Sequence, residues 1–128
     1  MRFVYFVLIA VLLAGCASRQ DDGMGAELQL RAMHRCSRVS PEIDLVNVPS
    51  GTTRFDVKLE DVNDLRKFHG GGSWAHDGSN IIPEGALTRH YMGACPPMGQ
   101  VGTYQYVISA IAADGQILEV KKTVFTVE

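Results

Sequence analysis

The sequence has little of what several large function classes require. Its charges nearly cancel, 12 Lys and Arg against 14 Asp and Glu for a formal net charge of -2. It therefore has no excess of cations to neutralise a phosphate backbone, and nucleic acid is excluded as a partner. At 128 residues it is too short for a multidomain enzyme. Its longest apolar run, Phe3 to Ala14, falls short of the ~18 residues a helix needs to cross a bilayer. The four histidines, His34, His69, His76 and His90, include no His-x-His or His-x-x-x-His pair, so no metal and no cofactor is expected. With 13 Gly and 5 Pro spread along the chain, no long window beyond the first apolar run keeps a helical stripe.

What is present begins with an address. Arg2 precedes the apolar run, which has the length of a signal-peptide core and ends in Leu13-Ala14-Gly15-Cys16. That ending resembles the lipobox of bacterial lipoproteins, in which the cysteine sulfur takes the diacylglycerol. Residues 1–15 are thus expected to be a cleaved lipoprotein signal and Cys16 the lipidated residue. Two or more acyl chains would hold the protein stably on a membrane. Ala17 in place of Asp favours the outer membrane, facing the periplasm, if the host has two. Ala17 to Gly25 is polar and glycine-bearing, so 16–25 reads as lipidated cysteine and tether, with the domain at 26–128.

Beyond the tether the apolar spacing is two. Leu28/Leu30, Ile43/Leu45 and Phe55/Val57/Leu59 each place alternate side chains on one face, as strands do. From Thr103 to Ala112, Tyr104, Tyr106, Ile108 and Ala110 share one face, while Val107 and Ile111 make the other partly apolar. That pattern predicts a central strand. Asp114-Gly115 suits a type I′ turn into Ile117–Val127, giving a C-terminal antiparallel hairpin. The fold class is all-β, with two stacked antiparallel sheets as the economical way to bury these faces. The alternation lapses between Asn63 and Arg89, around Gly70-Gly71-Gly72, and a long loop there would be functional or mobile.

Of the three cysteines, Cys16 is assigned to lipid, and Cys36 and Cys95 remain as an even pair in an oxidising compartment. A disulfide is expected.

Ser40-Pro41-Glu42-Ile43, Asn47-Val48-Pro49-Ser50-Gly51-Thr52, Asp61-Val62-Asn63, His69-Gly70-Gly71-Gly72 and Tyr91-Met92-Gly93-Ala94-Cys95-Pro96-Pro97-Met98-Gly99 occur in that order. Together they resemble the phosphatidylethanolamine-binding protein family, in particular its compact bacterial branch, the Raf kinase inhibitor-like proteins. The resemblance runs from about Cys36 to the C-terminus. It implies an antiparallel β-sandwich with a pocket for phosphate-like anions, built here from Asp61, Asn63, His69, Tyr91, Gly93 and Tyr104. Within it His69 and Tyr104 are donors and Asp61 is the orienting acceptor. Two positions depart from the family pattern. Asn63 stands where a second acid is usual, and Gln100-Val101-Gly102-Thr103 lacks the usual histidine before Tyr104, which removes one imidazole donor to an anion.

The same residues admit plainer duties: glycines in turns, tyrosines in the core, Pro96-Pro97 as a corner, Asp61 ending its strand in an Asx-type turn. Trp74 reads either as a lid aromatic or as core. An esterase is excluded because Gly71-Gly72-Ser73-Trp74-Ala75 lacks the last glycine of a serine elbow. The expectation is therefore a membrane-anchored envelope lipoprotein that binds a small anionic or polar ligand without catalysis. The alternative is a structural or protein-interaction lipoprotein with a degenerate pocket. The sequence names no protein partner.

Overall fold

The structure is a computed structural model that describes residues 23–128; the apolar run, Cys16 and most of the tether lie outside the described residues. Seven strands follow one another: β1 (Gly25–Gln29), β2 (Glu42–Val46), β3 (Thr52–Asp61), β4 (Phe68–Ala75), β5 (Ile81–Ile82), β6 (Gly102–Ala112) and β7 (Ile117–Val127). A single 3-10 turn, Ala32–His34, is the only helical piece among the described residues. The strands form two antiparallel sheets, β1-β2-β5 and β4-β3-β6-β7.

The alternation decides which faces meet. Ile43 and Leu45 of β2, Phe55, Val57 and Leu59 of β3, and Tyr104, Tyr106, Ile108 and Ala110 of β6 are buried together in one core. Strand β6 lies between β3 and β7, and Val107 and Ile111 on its other face are also buried, as a central strand requires. The Cys36–Cys95 disulfide is formed, with Sγ–Sγ 2.05 Å, and joins the loop before β2 to the loop before β6.

Close to the expected start at Ala26, Met24 is buried in the core, its N–H donates to Glu119 Oε1 at 2.6 Å, and β1 starts at Gly25. Strand β1 stops at Gln29, leaving Leu30 exposed. The final hairpin turns through a three-residue loop rather than a type I′ turn. Gly115 N–H donates to Ala112 O at 2.9 Å and only Gly115, at φ 88°, is left-handed in the loop. That is a type I turn closed by a glycine bulge.

Contrary to the expected long loop, residues 63–89 contain β4 and β5. The glycine triplet lies inside β4, and its alternation is invisible because side chains are absent where backbone packs. A Cβ on Gly71 would lie 1.8 Å from the Val57 carbonyl oxygen, and one on Gly72 would lie 2.9 Å from Leu87 Cα. Gly71 exchanges two backbone hydrogen bonds with Arg89, at 3.1 and 2.8 Å, so the covering segment also closes the open edge of β4.

Candidate functional site

Three strands bring three of the sequence-selected residues to one rim of the core. Asp61 ends β3 directly opposite Tyr104 of β6, and His69 sits near the start of β4 with its ring edge-on to Tyr104, centroids 5.5 Å apart. Asp61 terminates its strand by chemistry that suits an aspartate. Its Oδ1 accepts the backbone N–H groups of Asn63 (2.9 Å) and Asp64 (3.3 Å), an Asx turn, and Lys67 Nζ stands 3.8 Å from Oδ2.

His69 is doubly tied to the covering segment. Its carbonyl accepts Met92 N–H at 2.9 Å, and its Nδ1 lies 3.0 Å from Met92 O. A carbonyl only accepts, so Nδ1 carries the proton, and in a neutral imidazole Nε2 is then an acceptor. Nε2 has no hydrogen-bond partner among the described residues. Tyr104 packs on Phe125, and its hydroxyl is held above its ordinary pKa chiefly by burial and then by the Asp61 carboxylate, against smaller pulls from the Cys95 backbone and Arg35. The rim thus offers one phenol, one carboxylate largely committed to a turn, and one imidazole nitrogen.

The other three residues are placed elsewhere. Asn63 is an exposed turn residue whose N–H serves Asp61. Tyr91 is buried, and its hydroxyl meets that of Tyr106 at 2.6 Å. Gly93 backs onto the 3-10 turn: its N–H donates to Ser37 O at 2.7 Å, and a Cβ there would lie 2.3 Å from His34 O. The hollow beside His69, about 200 Å³, is lined by Lys58, Lys67, Phe68 and Gly70 among others, but by neither Asp61 nor Tyr104. Trp74 faces the core from β4, half-buried.

One cluster escaped the sequence reading. Buried His34 accepts the Arg31 N–H at Nδ1 (2.9 Å), so its Nε2 carries the proton and donates to Glu84 Oε2 at 3.0 Å; Arg31 also pairs with Glu84. The Arg31 guanidinium first, then His34, holds the Glu84 carboxyl below its ordinary range. Only the three-residue spacing of Arg31 and His34 was visible in the sequence; Glu84 is 50 residues away from His34. No group of three or more His, Cys, Asp or Glu side chains suited to a metal occurs among the described residues. No protein-family model matches the chain, and no curated protein matches it.

Proposed function

We propose that the protein is a bacterial envelope lipoprotein, anchored through Cys16, whose domain is a sandwich of the phosphatidylethanolamine-binding type. In this reading it holds a small polar or anionic ligand at the Asp61–His69–Tyr104 rim without acting on it chemically. The observation that carries the reading is the convergence of these three side chains from β3, β6 and β4, with His69 Nε2 unpartnered. A non-catalytic role is supported by Ser73, the only serine beside the glycine run, whose hydroxyl donates to Asp56 at 2.6 Å with no histidine in reach.

The tautomer of His69 makes the reading specific. With Nδ1–H held by Met92 O, the neutral ring presents Nε2 as an acceptor for an O–H or N–H of the ligand. A thermal-shift screen with phosphate and phosphoethanolamine tests the reading. Stabilisation approaching about 2.7 kcal/mol at a hundredfold excess over Kd, abolished in His69→Ala, is expected. A flat response would turn the reading to an interaction or structural lipoprotein of the same fold. One observation favours that second reading: Asp61, Tyr91 and Gly93 already have partners inside the domain, as an emptied pocket would show.

A further inference from the structure

A cavity of about 290 Å³ lies between residues 30–35 and the end of β7, and Phe125 on its lining stacks on Tyr104 of the rim. Its apolar lining comes from Leu30, Ala94, Tyr106, Phe125 and Val127, with the Tyr106 and Phe125 rings stacked nearly parallel, centroids 5.3 Å apart. The volume is close to the lower end of small-molecule sites, about 300 Å³.

The polar side of this space is cationic. Arg31 at the same cavity is engaged by Glu84, whereas the Arg35 guanidinium makes no hydrogen bond or ion pair among the described residues. Glu128 is the one acidic side chain on the lining.

We infer that this cavity is a second binding site, for a small amphipathic carboxylate. Its hydrocarbon part covers the Tyr106–Phe125 floor, and its charge pairs with Arg35. The inference does not rest on a ligand at Asp61–His69–Tyr104, although Phe125 is shared between the cavity lining and the packing of Tyr104.

The test is calorimetric titration of octanoate, octanol and acetate into the full chain carrying Cys16→Ser. Octanoate is expected to bind saturably at one site, octanol about tenfold more weakly for want of the charge-assisted bond, and acetate not at all. Arg35→Gln should bring octanoate down to the octanol level and leave octanol unchanged, whereas Glu128→Gln should strengthen octanoate alone. Ala94→Leu, which fills the cavity, should abolish both. If that variant does not fold, the Arg35→Gln comparison stands by itself. His69→Ala should leave octanoate binding intact, which separates failure here from failure at the rim. Absence of octanoate binding, or equal loss of octanoate and octanol in Arg35→Gln, would overturn the inference. Binding to Cys16→Ser but not to the lipidated chain would overturn it too, assigning the cavity to the protein's own acyl group.

Discussion

The β3–β6–β7 ladder and the stretch from residue 63 to residue 101 enclose the same core by opposite means. In the ladder, side chains do the burying: Phe55, Val57, Leu59, Tyr104, Tyr106 and Ile108 alternate inward and the backbone is satisfied by long, regular pairing. In the other stretch, backbone lies on backbone. Gly71 is bonded to Arg89, Met92 to His69, and Gly93 to Ser37, while the disulfide fastens Cys95 to the loop before β2. The ladder should tolerate conservative changes of side chain, and the covering stretch should fail wherever a side chain is added or a fastening cut.

Cutting the fastening is expected to have the largest effect. Cys36→Ala with Cys95→Ala opens a loop spanning a sequence separation of 59 residues. In the chain-entropy model this removes about 4 kcal/mol, read as the loss of unfolding free energy in urea. A loss below about 1 kcal/mol would mean that backbone contacts alone hold the covering stretch.

Next comes a paired glycine experiment. Gly70 sits at φ 67° and a Cβ on it would lie 2.2 Å from His90 O, whereas Gly78 sits at φ 88° with nothing within 4 Å. Both become strained as alanine, but only Gly70 also collides with backbone. Gly70→Ala is expected to cost about 3 kcal/mol and Gly78→Ala about 1 kcal/mol. Equal losses would show that conformation, not close approach, explains the glycine run.

These glycines also mark the limit of what the sequence reveals. Alternation exposed β2, β3 and β6 because their inward side chains are apolar, and Asp114-Gly115 exposed the hairpin and with it β7. The turn type was hidden because Asp-Gly serves both two- and three-residue loops, and the choice is made by strand register. Strand β4 was hidden because its glycines, covered by backbone, interrupt the alternation between His69 and Trp74. At the candidate site, the Asx turn of Asp61 follows from local chemistry. The meeting of His69 with Tyr104 depends on pairing across three strands and was suggested only by family resemblance.

The tyrosine pair belongs to both regions, Tyr91 to the covering stretch and Tyr106 to the ladder. Removing one hydroxyl strands the other, so Tyr91→Phe and Tyr106→Phe should each cost about 2 kcal/mol, and the double variant much less than their sum. Burial raises both phenols above the ordinary value of 10.0; for Tyr91 the bond to Tyr106 partly opposes this, and for Tyr106 the neighbouring phenol adds to it. A raised pKa in the fold keeps the neutral form, so the stability it brings is complete below pH 10 and is lost as pH climbs above that value. Denaturation midpoints should be flat up to about pH 10 and fall beyond it. The double variant should fall less steeply, keeping only the part due to Tyr104, which is raised as well.

Asn63→Asp should have the smallest effect and asks which region its position serves. Asn63 is exposed, its N–H is held by Asp61, and its side chain makes no hydrogen bond among the described residues. If the residue is simply the third position of an Asx turn, a carboxylate there changes stability by no more than about 0.5 kcal/mol, because the turn uses only its backbone. The added charge stands next to Asp61 and Asp64, so phosphate affinity at the rim should fall slightly or stay level. A rise in phosphate affinity in Asn63→Asp, measured in the same buffer as the stability, would instead place this side chain in the pocket. The end of β3 would then belong to the site rather than to the turn that stops the strand.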